Sequence, residues 1–168
     1  TDFALTNVTF FLWNSSGVVV STLRNVSGMS NQSSFAYNFS IEDSYQWNCL
    51  FSHNGNISAF AARNNGLTYD VTPPTLEIIS PSNGYVLNAG RFNLTLSENG
   101  SCWYSLNGGV NNYSMTLGTN RSFSAINTTL LQNASYTVKY ACNDSAGNTN
   151  SSSEAAFTID LTSPNVTI

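Results

Sequence analysis

The chain has very little charge. Only 8% of its 168 residues are Asp, Glu, Lys or Arg, against about a quarter in an ordinary soluble domain. Its five cations are scattered along the sequence, at Arg24, Arg63, Arg91, Arg121 and Lys139. Nucleic-acid binding depends on clustered cations that neutralise neighbouring phosphates, so we expect no nucleic-acid partner.

Long apolar runs are also missing. No stretch reaches the roughly 18 apolar residues that a membrane-spanning helix requires, so we expect no membrane span in this segment. The sequence starts at Thr1 without a signal peptide, which we interpret as the mark of a mature or partial chain.

The residues of catalytic and metal sites are sparse. His53 is the only histidine, and nothing in the sequence brings a serine and an aspartate to it as a triad would require. Three cysteines and one distant histidine lack the spacing of a metal site. Asp144 and Asn148 could supply two or three of the six to eight oxygens that Ca²⁺ takes, so an Asx turn is the favoured interpretation. We therefore expect no enzymatic activity, no metal and no cofactor.

Polarity comes instead from 24 Asn and 42 Ser plus Thr residues. The N-glycosylation pattern Asn-x-Ser/Thr occurs 15 times, well over twice as often as composition alone would produce. Such a density indicates covalent N-glycans on a secreted chain, the alternative being that these residues only fill turns. The acceptors are Asn7, Asn14, Asn25, Asn31, Asn38, Asn56, Asn93, Asn99, Asn112, Asn120, Asn127, Asn133, Asn143, Asn150 and Asn165.

An internal repeat sets the domain organisation. Residues 70–78 have the sequence DVTPPTLEI and residues 160–168 have DLTSPNVTI, an offset that suits a sandwich of about 100 residues. It predicts a first sandwich over residues 1–71 that lacks its first strands and a complete sandwich over 72–161. Residues 162–168 are then the first strand of a following repeat or a donor strand.

Alternating apolar residues predict an all-β fold of tandem β-sandwiches. In the second domain we expect strands at Leu76–Ser80, Phe92–Ser97, Cys102–Leu106, Arg121–Ile126, Tyr136–Cys142 and Glu154–Asp160. In the first domain Tyr45, Trp47, Cys49 and Phe51 share one face of a strand. The segment Ser34–Ser40 also alternates, which predicts a strand with Asn38 facing solvent.

The repeat predicts an incomplete first sandwich and a final segment that belongs to a further one, and this arrangement has two interpretations. Either the sequence is a piece of a longer repeat protein, or it is a polymerising subunit. In the second case Asn165, Val166, Thr167 and Ile168 of one copy would complete the first domain of its neighbour by β-strand addition.

The three cysteines fall on strand faces that we assign inward. Cys102 and Cys142 lie in the second domain, where we predict a disulfide, the alternative being a buried free pair. Cys49 has no partner in its own domain. Its partner lies on a missing strand or in another chain, or the thiol is free.

The run Phe10-Phe11-Leu12-Trp13 is apolar on both faces of a strand. Either it is a central strand covered on both sides, or Phe10, Phe11 and Trp13 form a contact with another subunit or domain. Trp103 has the same two interpretations in the second domain.

Several motifs resemble the immunoglobulin-like repeats of large archaeal and bacterial surface proteins: DVTPPTLEIISPSNG, SCWYSLNGG, YTVKYACNDSAGN and AAFTID. The segments LTNVTFFLWNSSG and YQWNCLFSHNGN look like a sister version, in which the counterpart of Cys49 pairs with a second-strand cysteine that this chain lacks. The resemblance implies adhesins, stalks, S-layers or filaments, and no catalytic residues. We therefore expect a structural repeat unit of a glycosylated extracellular filament, sheath or S-layer, of an archaeon rather than a bacterium. It would assemble head to tail with copies of itself or further repeats, the alternative being an adhesin module that binds carbohydrate or another cell.

Overall fold

The computed structural model describes residues 4–54, 57–87, 90–127 and 133–166. Nearly all of its regular structure is β-strand, which confirms the all-β prediction. The chain forms two compact units, Thr1–Val71 and Thr72–Ile168.

Unit 1 contains a single antiparallel sheet. Its strands are β1 (Leu5–Asn14), β2 (Gly17–Gly28), β3 (Asp43–His53), β4 (Ile57–Phe60) and β5 (Asn65–Tyr69). Their order is β2-β1-β3-β4, and β5 also pairs with β3. Strands β1 and β3 are therefore paired on both sides, which leaves β2 with an open edge along its 12 residues.

Residues 34–40 do not form the strand that their alternation predicts. They lie extended against one face of the sheet, where Phe35 stacks on Phe10 at 5.1 Å and Phe39 meets the edge of Tyr45 at 4.8 Å. The alternation depends only on having an apolar face to lie against, whereas a strand needs a hydrogen-bonded neighbour. The prediction of a strand was wrong because that neighbour is not supplied here.

Unit 2 is a two-sheet sandwich. Its strands are β6 (Leu76–Ser80), β7 (Tyr85–Leu87), β8 (Gly90–Leu96), β9 (Gly100–Ser105), β10 (Tyr113–Ser114), β11 (Thr116–Leu117), β12 (Ser122–Asn127), β13 (Ala134–Asp144) and β14 (Thr149–Ile159). One sheet has the order β10-β9-β13-β14-β7 and the other β11-β12-β8-β6. Only β7 runs parallel to its neighbour, β14.

Five of the six strands predicted for unit 2 end within two residues of the observed bounds. The sixth, β14, begins at Thr149 rather than at Glu154. Its polar first half has no apolar alternation to indicate a strand. It is paired nevertheless, because the tight turn after β13 places Asn150 opposite Cys142 and Ser153 opposite Tyr140.

The core of unit 2 is built from both inner faces. Strand β8 contributes Phe92, Leu94 and Leu96, each at most 3% exposed. The Phe92 ring stacks on Tyr104 at 4.4 Å and meets Phe157 edge-on at 5.9 Å. Rings from both sheets thus interlock in the middle of the sandwich, which is the packing that excludes water from this fold.

Within the core, Cys102 and Cys142 lie directly opposite each other on β9 and β13 and are joined by a disulfide. The bond closes a loop with a sequence separation of 40 residues. A crosslink of that span restricts the unfolded chain, so it stabilises unit 2 chiefly through the unfolded state.

We expect replacement of both Cys102 and Cys142 by Ala to lower the free energy of unfolding of unit 2 by about 3–4 kcal/mol, because the loop-closure entropy is lost. Urea denaturation followed by tyrosine and tryptophan fluorescence measures this difference. Cys49→Ala, in unit 1, is the matched control and should leave the unit 2 transition unchanged. A double variant as stable as the parent would contradict the expectation.

Candidate functional site

The hairpin between β13 and β14 is organised by one buried carboxylate. Oδ1 of Asp144 accepts hydrogen bonds from the backbone N–H groups of Ala146, Gly147 and Asn148 at 2.7–2.9 Å. Oδ2 accepts one from the Asn148 side chain at 2.8 Å. Gly147 takes a φ of 96°, a region that glycine enters without strain. The arrangement is an Asx turn, as the sequence indicates.

These hydrogen bonds set the ionisation of Asp144. Burial by itself raises the pKa of the carboxyl group, but the four hydrogen bonds that it accepts favour the charged form and outweigh burial. The net effect holds the pKa of Asp144 below its usual range. The hydrogen bonds that Asp144 accepts within the turn stabilise the conformation of the hairpin. The expectation that no metal binds stays a prediction.

The apolar run of β1 is divided between the two faces of the unit 1 sheet. Phe10 lies on the face that residues 33–39 cover, where it contacts Phe35 and Trp47. Phe11 and Trp13 lie on the opposite face, which we call the open face. Phe10 therefore packs against the covering segment, and Phe11 and Trp13 pack on the open face, while all three rings are half-buried.

Residues 33–39 cover this face of the sheet incompletely, and two cavities remain on it. One of about 490 Å³ is lined by Phe10, Leu12, Trp47 and residues 33–39 among others. A second, of about 250 Å³, lies between Val8 and Phe35. In unit 2 the inner residues of β8 fill the corresponding layer of the sandwich. The covered face of unit 1 thus has room for further apolar side chains.

Cys49 borders both of these cavities. Phe10 lies directly opposite on β1, so the neighbouring strand offers no cysteine of the kind that pairs in unit 2. Burial raises the pKa of the Cys49 thiol, which keeps it protonated and poorly nucleophilic. In the described structure it is a free thiol.

The open face of unit 1 combines aromatic rings with amides. Phe11 and Trp13 stack at 5.5 Å with a 9° angle between their planes. The Phe60 ring tilts against both, at 5.5 Å and 6.2 Å. On β3, Asn48 lies opposite Phe11 and Gln46 lies opposite Trp13. Aromatic β1 and amide-bearing β3 thus lie side by side on one surface.

Asn48 ties the following loop to this surface. It is only 3% exposed, and its Nδ2 donates to the Ala61 carbonyl at 3.1 Å and to Oδ1 of Asn64 at 2.8 Å. Nδ2 of Asn64 then donates to Oε1 of Gln46 at 3.1 Å. Asn48, Ala61 and Asn64 line, with Trp13, Phe60 and Arg63 among others, an open cleft of about 330 Å³. Sequence reasoning missed Asn48, because strand alternation gives no indication of what a loop brings to the second face.

Trp103 occupies a comparable position in unit 2. It is half-buried on the outer surface of β9, beside Lys139 and Ala141, in a cleft of about 200 Å³. Lys139 alternates with the fully buried Val138 and Tyr140 and so faces outward. No second aromatic ring lines this cleft, which makes its surface more polar than the open face of unit 1.

The C-terminal repeat element lies exposed. Val166 is 81% exposed and Leu161 is 46% exposed. Residues 161–166 form no regular secondary structure. Thr167 and Ile168, also predicted as contact residues, lie outside the described part of the chain.

None of the glycosylation acceptors among the described residues is buried. Eight are exposed, namely Asn25, Asn31, Asn38, Asn99, Asn112, Asn120, Asn133 and Asn165, and six are half-buried, namely Asn7, Asn14, Asn93, Asn127, Asn143 and Asn150. Asn56 lies outside the described residues. An accessible side chain is the first requirement for transfer of a glycan.

Most of unit 2 matches the model of a known protein family. Residues 88–161, from β8 to just beyond β14, match the family model described as a bacterial Ig-like domain. Over this stretch the two-sheet sandwich of unit 2 is therefore immunoglobulin-like. No curated protein matches the chain in sequence.

Two solved structures are similar to the whole chain. The fibronectin(III)-like modules of Clostridium thermocellum CbhA match with 8% identity and a TM-score of 0.41, over 100% of this chain and 86% of theirs. A tetra-tandem repeat in the extending region of a large adhesion protein matches with 18% identity and a TM-score of 0.44. That match covers 95% of this chain and 43% of the adhesion protein chain. Both TM-scores are below 0.5, so the fold assignment depends on the strands themselves and on the family match.

We expect Asp144→Asn to destabilise unit 2 at pH 7, because the new amide would place a second donor against Nδ2 of Asn148. The pKa of Asp144 is lowered in the folded state, so its stabilisation is present at neutral pH and is lost progressively as the pH falls below the usual carboxyl range near about 4 and through the lower folded-state pKa. Urea denaturation at pH 7 and pH 3 should show a difference between variant and parent that shrinks on acidification. Glu154→Gln, at an exposed position on β14, is the control and should show no such pattern. An Asp144→Asn difference that is independent of pH would contradict the assignment.

Proposed function

We propose that this chain is a non-enzymatic structural repeat of an extracellular, glycosylated filament, sheath or S-layer, joined head to tail through Asn165–Ile168. The observation that carries the proposal is the repeated sequence at residues 70–78 and 160–168. In the first copy this sequence opens unit 2 and leads into β6. We infer that the second copy opens the next sandwich in the same way.

The environment of Val166 supports this proposal. The repeat aligns Val166 with Leu76 of β6, which packs half-buried against the unit 2 core. Val166 has the same strand-forming context but is 81% exposed. In the described part of the chain, residues 161–166 are not paired in a sheet. A segment of this kind is suited to β-strand addition, in which main-chain hydrogen bonds give affinity and alternate side chains fill pockets.

The acceptor in this scheme is an incomplete β-layer. The covered face of unit 1 has cavities of about 490 and 250 Å³ beside residues 33–39, and these residues have the alternation of a strand. A strand added beside them would place its alternate side chains in those cavities. The same geometry serves a following repeat of one chain or a neighbouring copy.

Charge and glycans fit a surface polymer. With 8% charged residues and a net charge of −4, the surface presents amides and hydroxyls rather than a long-range field. Glycans on exposed asparagines away from residues 33–39 and 165–168, such as Asn25 and Asn112, would cover that surface. Among the described residues, no helix is long and apolar enough to cross a membrane.

Glycan occupancy should follow the environment of each acceptor. We expect glycans at Asn25, Asn38 and Asn112, which are exposed. We expect none at Asn143, whose Oδ1 is buried, or at Asn150, whose half-buried Nδ2 donates to the Pro74 carbonyl at 2.9 Å. Glycopeptide mass spectrometry of the native protein measures site occupancy directly.

Paired substitutions provide the control for occupancy. Asn38→Gln should remove the mass of one glycan, and Asn143→Gln should leave the mass of the glycoprotein unchanged apart from the substitution. Equal occupancy at the two positions, or an entirely unmodified native chain, would contradict this part of the proposal.

The assembly is tested by placing a charge on the added strand. We expect Val166→Asp to shorten or abolish head-to-tail polymers of the native protein, because a carboxylate cannot be buried unpaired in an apolar pocket. Val110→Asp is the matched control, since Val110 is a valine that is 80% exposed in unit 2. Electron microscopy of filament length and sedimentation velocity measure the effect. Polymers of unchanged length in Val166→Asp, or equally shortened in both variants, would refute the role of this strand.

A further inference from the structure

We propose that the cleft on the open face of unit 1, formed by Trp13, Phe60, Arg63 and Asn64, binds a neutral pyranose sugar. The proposal concerns a different surface from the strand-addition site and does not depend on how copies assemble. Three observations carry it: the aromatic rings, the amide network and the charge of the lining.

The aromatic rings form a supported platform. Phe11 stacks almost parallel beneath Trp13, at 5.5 Å and 9°, so the indole is held in one orientation. Phe60 stands tilted beside it and remains 49% exposed. A pyranose has one face of C–H groups, whose slightly positive hydrogens are attracted to the negative face of an aromatic ring. The supported indole can therefore take a sugar ring without prior rearrangement.

The amides provide hydrogen bonds of the kind that hydroxyl groups need. Asn48 is buried, and its amide hydrogens are used by the Ala61 carbonyl and by Asn64, so it fixes the loop. Gln46 and Asn64 are exposed and are joined by a single hydrogen bond of 3.1 Å. Each amide keeps donors and lone pairs beyond that bond. A sugar hydroxyl both donates and accepts, and thus matches a fixed amide better than a purely apolar partner does.

The lining of the cleft carries little charge. The cleft is lined by Trp13, Asn48, Phe60, Ala61, Ala62, Arg63 and Asn64. None of these residues carries a carboxylate, and Arg63 is the single cation, a planar donor suited to adjacent hydroxyls. The volume of about 330 Å³ lies at the lower end of the roughly 300–1,000 Å³ found for small-molecule sites. This volume is in the range expected for a small ligand such as one or two sugar rings.

The sugar can come from two sources with the same chemistry, an N-glycan of another copy or a glycan of another cell. The probes are therefore methyl glycosides of mannose, glucose and galactose, N-acetylglucosamine, glycans released from the native protein, and yeast mannan. Saturation-transfer NMR and tryptophan fluorescence on the full native chain measure binding. For a single ring we expect a dissociation constant on the order of 1–10 mM. Tighter binding of the protein's own released glycans would identify the first source, and tighter binding of mannan the second.

Variants on and off the cleft decide the assignment. We expect Trp13→Ala to weaken binding at least about tenfold and Arg63→Ala to weaken it about two- to tenfold, because hydrogen bonds to hydroxyls are lost. Trp103→Ala, which removes the half-buried indole of unit 2, is the matched control and should bind as the parent does. Circular dichroism establishes that each variant is folded. Should Trp13→Ala fail to fold, the exposed Phe60 and Arg63 still allow the test.

Three outcomes would overturn the proposal. One is the absence of saturable binding for every probe up to about 100 mM, roughly ten times the weakest expected dissociation constant. Another is equal affinity of Arg63→Ala, Phe60→Ala and the parent. The last is a change in self-association of Trp13→Ala without any change in sugar binding, which would assign the open face to a protein contact.

Discussion

The structure depends on one constraint, which is that the apolar face of a β-sheet must be covered by a second layer. In unit 2 the inner residues of β8 meet those of β13 and β14, and Phe92, Val138 and Tyr140 are completely buried as a result. In the described part of unit 1, the side chains of a short segment, residues 33–39, cover one face of the sheet. Fewer buried residues and two cavities follow directly from that difference.

The low content of charged residues limits the kinds of contact that the molecule can make. A surface with few charges cannot attract a partner over distance, so recognition must depend on shape, aromatic faces and hydrogen bonds at close range. Amides also provide much of the local order, as in the hydrogen-bonded chain Asn48–Asn64–Gln46. Asp144 is an exception, because its carboxylate is charged and buried. Four hydrogen bonds within one turn stabilise its ionised form.

Predictions from sequence were accurate where a feature is local. The alternation over Tyr136–Cys142 predicted strand β13 and an inward Cys142, and Cys142 is fully buried. The predictions were inaccurate where strand formation depends on a partner strand from another part of the chain. Residues 34–40 alternate like β12, but β12 is a strand because β8 pairs with it. The polar start of β14 is a strand because the Asp144 turn aligns it with β13.

The sequence by itself determined the β-class and, within a strand, which neighbouring residues lie on opposite faces, because both follow from alternation with a period of two. Tertiary structure alone decided which extended segments become strands, and which face of the unit 1 sheet residues 33–39 cover. It also brought Asn64 to Asn48 across 16 residues of sequence. Hydrogen-bonded partners and loop contacts are non-local, and a linear pattern does not contain them.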